Sequence, residues 1–141
     1  MSLGLYLHIP YCFSKCRYCD FYSHPGERSV PRAYVDALLR ELSRFAPDAP
    51  LRPDTLYFGG GTPSLLDPAD AARLIDAAQP LPGAEITLEA NPETVTEDSL
   101  RAFREAGVNR ISFGVQSARD SQLKTLGRPH TAKQARAAFA A

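Results

Sequence analysis

Cys12, Cys16 and Cys19 are the only cysteines of the chain, and they stand close together as Cys12-Phe-Ser-Lys-Cys16-Arg-Tyr-Cys19. A four-iron cubane is normally held by four thiolates, so a compact trio with no fourth cysteine leaves one iron without a protein ligand. An exogenous molecule can complete that corner, which makes the open iron a place for chemistry. Zinc is the competing reading: with His8 or His24 the thiols make a Cys₃His set, although structural zinc sites usually come as two separated ligand pairs. A disulfide suits an odd cysteine count without a secretory leader poorly. Inert buried thiols also fit poorly, because the spacers Ser14, Lys15 and Arg17 are polar and the segment follows Pro10. This composition predicts an exposed loop.

The rest of the chain must position that loop. With 141 residues, 44% apolar and 23% charged, it has the composition of a soluble globular protein with one domain. Sixteen basic and sixteen acidic residues cancel. No basic stripe interleaved with aromatics is present, so nucleic acid is not an expected partner. No run is long enough to span a bilayer and no charged leader or cleavage site opens the chain, so cytoplasm is the expected compartment.

Gly4 to Ile9 is a β-rich run that stops at Pro10, so the cysteines hang from the C-terminal end of a strand. From Pro31 to Phe45 the apolar residues Tyr34, Leu38, Leu39, Leu42 and Phe45 recur at helical spacing. Thr55 to Phe58 predicts a second strand, ended by Gly59-Gly60-Gly61-Thr62-Pro63. Asp67-Pro68 then caps a helix to about Ala78. A third strand over Glu85 to Glu89 ends at Asn91-Pro92, and Thr96 opens a helix stopped by Gly107. Arg110 to Val115 reads as the fourth strand. Asp120 to Leu126 is a short helix closed by Gly127, and Thr131 caps a last one. Four β-then-α units imply a parallel sheet with right-handed crossovers, either an open sheet or part of a (β/α) barrel. A whole barrel takes about 250 residues. The expectation is therefore an N-terminal fragment, a core domain over 1–141 that is incomplete at its C-terminus, with uncovered strand edges.

In such a sheet the loops after the strands share one face. Gly59 to Thr62 would let backbone approach a ligand where side chains collide, or would simply be a flexible turn. It lacks the lysine of a phosphate loop. Glu89 could accept an ammonium or a ribose hydroxyl, or be a solvated strand-end charge. Gln116 offers an amide to hydroxyls or a carboxylate, or bonds its own loop. Arg128 could clamp a carboxylate, or serve as a cation at a helix end. Tyr6 and Tyr18 flank the cysteines and could line the site or merely pack. His8 reads as a hydrogen-bonded sheet residue.

The CxxxCxxC pattern resembles the signature of the radical S-adenosylmethionine (SAM) superfamily. That resemblance implies a 4Fe–4S cluster on Cys12, Cys16 and Cys19 whose open iron is chelated by the amino and carboxylate groups of SAM, with electron transfer into the sulfonium yielding a 5′-deoxyadenosyl radical. Tyr6-Leu-His-Ile-Pro-Tyr-Cys12, Gly59-Gly-Gly-Thr-Pro63, Glu89-Ala-Asn-Pro92, Gly114-Val-Gln116 and Leu126-Gly-Arg128-Pro-His130 look like the oxygen-independent coproporphyrinogen III oxidases and their heme chaperone relatives. Carried onto this sequence, the resemblance makes Tyr6, Tyr18, Gly60, Gly61, Thr62, Glu89, Gln116 and Arg128 contacts of SAM. It implies a partial TIM-like radical SAM barrel. The oxidases carry a further cysteine two places after the third ligand, where this chain has Phe21. The Cys-x-Phe form resembles the HemW-type heme chaperone branch, which implies heme binding and delivery rather than decarboxylation of coproporphyrinogen III. Heme or that porphyrinogen, an electron donor protein such as flavodoxin, and transient heme acceptors are the partners the resemblance implies.

Overall fold

Hydrophobic alternation along four short runs builds one sheet. In a computed structural model that describes residues 2–45 and 47–141, the strands are β1 (Gly4–Ile9), β2 (Tyr11–Cys12), β3 (His24–Pro25), β4 (Thr55–Gly60), β5 (Glu85–Ala90) and β6 (Arg110–Phe113). β1, β4, β5 and β6 lie side by side in that order, all parallel. The register runs from Gly4 opposite Thr55 to Ile9 opposite Gly60, with Phe58 opposite Leu88 and Ala90 opposite Phe113. Spatial order equal to chain order is the winding of a barrel segment. A doubly wound sheet would reverse direction part-way.

The helices α1 (Arg32–Phe45), α2 (Pro68–Ala78) and α3 (Glu97–Glu105) return the chain between successive strands, and α4 (Asp120–Leu126) and α5 (Ala132–Ala140) follow β6. Successive strand side chains point to opposite faces. Leu7, Ile9, Leu56, Phe58, Ile86 and Leu88 thus meet Val35, Leu42, Leu74, Ile75 and Phe103 in one buried core. The other face carries Tyr6, His8, Tyr57, Thr87, Glu89 and Ser112, with Tyr6 54% exposed. Local chemistry sets the helix ends. Asp67 accepts from Ala69 N–H at 2.8 Å with Pro68 behind it. Thr96 and Thr131 form capping boxes with Ser99 and Gln134, and Gly127 closes α4 at φ 74°.

Two expectations shift by a residue or two. β4 continues through Gly60, because Gly59 and Gly60 still pair with His8 and Ile9. β6 stops at Phe113 rather than Val115: Gly114 N–H makes the last bond to β5, at Ala90 O, and Val115 N–H then turns back to Phe113 O. The pairing of β2 with β3 was not foreseen. Within the four-stranded sheet β1 and β6 pair on one side only among the described residues, and no described helix is long and apolar enough to cross a membrane.

Candidate functional site

The cysteine loop is closed on itself before it is docked. Tyr11 and Cys12 pair with His24 and Pro25, while Gly26 N–H bonds Phe13 O at 3.2 Å and Glu27 N–H bonds Cys12 O at 3.0 Å. Cys19 N–H returns to Cys16 O at 3.1 Å, so the last two thiols sit in one tight turn. Cys12 is buried and Cys16 and Cys19 are half-buried, while Phe13, Ser14, Lys15, Arg17 and Tyr18 between them are exposed. The exposed loop expected from the spacers therefore turns its thiols inward.

The glycine turn explains how that loop reaches the sheet. A Cβ on Gly59 would lie 2.7 Å from the Tyr6 ring, one on Gly60 2.7 Å from the His8 ring, and one on Gly61 2.6 Å from Tyr11 O and 2.8 Å from Cys12 Sγ. Gly60, at φ 120°, also has a backbone that favours glycine. Gly61 N–H bonds Ile9 O at 2.8 Å and Thr62 N–H bonds Tyr11 O at 2.7 Å. Neighbouring parts of the chain fill the space left by the absent side chains, and the cysteine loop seats against the end of β4.

Glu89 reaches the same end of the sheet from β5, accepting from Tyr57 Oη at 2.7 Å and from Gly60 N–H at 3.2 Å. Burial, then the Glu89 hydrogen bond and charge, push the Tyr57 phenol up. Burial and the Glu89 charge do the same to Tyr6. From the far side, Arg17 N–H bonds Leu126 O at 3.1 Å at the end of α4. One residue past Gly127, the Arg128 guanidinium donates from Nη1 to Cys16 Sγ at 3.1 Å and from Nη2 to Gly114 O at 2.7 Å and to Asn91 Oδ1. Arg128 Nε is buried without a partner. Burial raises the Tyr18 phenol, opposed by the Arg128 charge. His130 is fully enclosed, with Nδ1 3.1 Å from Glu93 Oε2 and Nε2 3.0 Å from Val115 O.

A cavity of about 260 Å³ lies between these groups. Cys12, Cys16, Cys19, Tyr18, Gly60, Gly61, Thr62, Glu89, Gln116 and Arg128 all line it, though they come from the loops and strand ends that follow β1, β4, β5 and β6 and, for Arg128, from the link between α4 and α5. Tyr6 does not line it. That side chain stacks on Tyr57 and lies 3.2 Å from His8 Nδ1 on the open face. Gln116 holds φ 67°, a left-handed conformation uncommon for a residue with a Cβ and concentrated at functional sites. Sequence reasoning placed Asn91 at a strand end and in a motif without giving it a role, and left out Ser112; both line the cavity. The available signal was their place at the ends of strands in a parallel sheet.

The histidines considered as a fourth zinc ligand are engaged elsewhere. Both ring nitrogens of His8 are occupied, by Tyr6 Oη and Tyr22 O, and His24 Nε2 faces Tyr22 Oη at 3.3 Å. Among the described residues no three His, Cys, Asp or Glu side chains converge as a cage for one metal ion. Three thiols facing one cavity, a missing Cβ beside Cys12 Sγ and a cation beside Cys16 Sγ fit the cluster.

Residues 6–141 match the radical SAM superfamily, and the chain belongs to it. The chain is 47% identical over 142 residues to the heme chaperone HemW of Escherichia coli strain K12, covering 96% of this chain and 38% of that protein. It is 41% identical to the bovine radical S-adenosyl methionine domain-containing protein 1, mitochondrial, covering 94% of this chain and 31% of that one. Among solved structures, the coproporphyrinogen III oxidase HemN of E. coli superposes with a TM-score of 0.83 at 31% identity, over 99% of this chain and 33% of that chain. The parallel sheet thus matches part of the HemN barrel, and the chain spans under two-fifths of the curated relatives' length.

Proposed function

We propose that residues 1–141 form the radical SAM core of a heme chaperone, holding a 4Fe–4S cluster on Cys12, Cys16 and Cys19 and SAM in the adjoining cavity. The observation that carries the cofactor reading is the convergence of those three thiols with Gly60, Gly61, Thr62, Glu89, Gln116 and Arg128 on one cavity. When bound, the cluster supplies an electron to the SAM sulfonium. The backbone at Gly60 and Gly61 and the Glu89 carboxylate offer acceptors to an ammonium. Gln116, Thr62 and Arg128 offer donors to carboxylate or hydroxyl oxygens. Tyr18 walls the cavity, while Tyr6, stacked on Tyr57, stands outside its lining.

Heme delivery is favoured over porphyrinogen decarboxylation by Phe21, 69% exposed, in the position where the oxidases carry a cysteine. High identity to a protein named as a heme chaperone supports the same reading. The intact protein would take electrons from a donor protein such as flavodoxin and contact heme acceptors transiently. The structural likeness to HemN favours the second reading, an oxidase acting on coproporphyrinogen III.

Electron paramagnetic resonance on anaerobically reconstituted, dithionite-reduced full-length protein tests the cofactor reading. A reduced 4Fe–4S signal whose shape changes on adding SAM is expected; zinc without iron would overturn it. Stoichiometric transfer of heme to an acceptor with no protoporphyrinogen formed is the expected outcome for the chaperone, and porphyrinogen turnover would replace that reading with the oxidase.

A further inference from the structure

Arg128 and Cys16 are 112 residues apart in the chain, and their contact depends on an amide that belongs to neither element. Asn91, just past the end of β5, accepts from Arg128 Nη2 on Oδ1. That assignment leaves Nδ2 to donate to Thr62 Oγ1 at 3.1 Å. The Asn91 N–H reaches Thr94 Oγ1 at 3.3 Å, and Thr94 Oγ1 in turn meets Ser64 Oγ. Backbone and both ends of the amide are therefore held, so its orientation is determined by bonded neighbours on two sides.

The fit around this pair is close. A Cβ on Gly114 would lie 2.7 Å from Asn91 Oδ1 and 3.3 Å from Arg128 Nη2. Gly114 O takes a second bond from Nη2, which leaves Nη1 facing Cys16 Sγ. A planar guanidinium has no freedom to keep both Nη2 bonds and redirect Nη1. Arg128 Nε is buried and makes no hydrogen bond within the chain, so the bonds from Nη1 and Nη2 are the ones that orient the guanidinium.

We propose that Asn91 is a positioning residue that aims Arg128 at Cys16 Sγ, so that an amide at the end of β5 sets the reduction potential of the cluster. This rests on the cluster assignment above. Reduction adds negative charge to the cluster and its thiolates, and a charged hydrogen-bond donor at a ligating sulfur stabilises that state and raises the potential.

The test is a redox titration followed by electron paramagnetic resonance, on full-length reconstituted holoprotein without SAM. Asn91→Leu and Arg128→Met are each expected to lower the midpoint. A tenfold shift in the one-electron equilibrium would be about 59 mV. The double variant should fall no further than Arg128→Met alone, because Asn91 acts through Arg128. Arg128→Lys, which keeps the charge without the fork, should recover part of the shift, and Asn91→Ser should lie between wild type and Asn91→Leu. Unchanged midpoints with weakened SAM binding would make Arg128 a carboxylate clamp alone and overturn the proposal. Additive shifts would overturn the Asn91 step. Variants that hold no iron while wild type is loaded would place the pair in cluster assembly and overturn it as well. A wild-type protein without a cluster defeats the functional reading itself, which is a separate result.

Discussion

The two faces of the one sheet are built on different principles. On the helix side, Leu56, Phe58, Leu74 and Leu88 are fully buried and interdigitate with apolar neighbours of similar kind. Apolar burial is non-directional and roughly proportional to area, so several side chains of about the right size serve. At the open face and C-terminal strand ends the contacts are single and directional: Tyr57 to Glu89, Arg128 to Cys16, and the Gly61 backbone against Cys12. One side of the sheet holds the molecule together, and the other carries the cavity that the three thiols line.

Damage on the helix side should therefore cost global stability, and damage at the strand ends should cost the site first. Phe58→Ala empties a fully buried position and is expected to destabilise by about 3–5 kcal/mol, read as a lower denaturant midpoint. If iron incorporation failed in that variant while the melt stayed put, the division between faces would be wrong. Gly61→Ala pushes a methyl against Tyr11 O and Cys12 Sγ. Its cost in stability is about 1–3 kcal/mol, and the larger expected effect is lost iron after reconstitution, checked by metal analysis at wild-type helicity.

Tyr57→Phe removes one directional bond to Glu89, expected to cost about 1 kcal/mol. Burial and Glu89 hold the Tyr57 phenol up, so its contribution is present below about pH 10 and is lost as pH rises through the folded value. The gap in melting temperature between wild type and Tyr57→Phe should close in alkali. The smallest effect belongs to the surface pair that joins α1 to α2. Arg73 donates to Asp36 at 2.7 Å and holds that carboxyl below its ordinary range. The Asp36 contribution is present above about pH 4 and is lost as pH falls through the depressed folded value. Melts of wild type and Asp36→Asn should differ slightly at neutral pH and coincide in strong acid.

Much of the fold was legible because its signals are local. Asp67-Pro68, Thr96 and Gly127 mark helix ends through bonds spanning a few residues, and the alternation of Leu5, Leu7 and Ile9 marks a core face. The end of β6 was misplaced by two residues because its pairing stops with the bond from Gly114 N–H to Ala90 O on β5, after which Val115 N–H turns back to Phe113 O. The triple glycine was read as backbone approaching a ligand or as a flexible turn; Gly60 and Gly61 do line the cavity, and the sequence did not indicate that the rings of Tyr6 and His8 would also stand where side chains on Gly59 and Gly60 would lie. Nothing nearby in the sequence indicates which side chain will occupy an absent Cβ.

The sequence by itself determined the chemistry available: three thiols with ligand spacing, no fourth, and four βα units whose loops share one face. Those properties depend on residue identity and on periodicities of a few residues. The tertiary structure alone decided that Arg128 would meet Cys16 and that Asn91 would orient it, contacts across 112 and 37 residues. Such pairings follow from strand register and crossover packing, which bring together residues that have no signal in common along the chain.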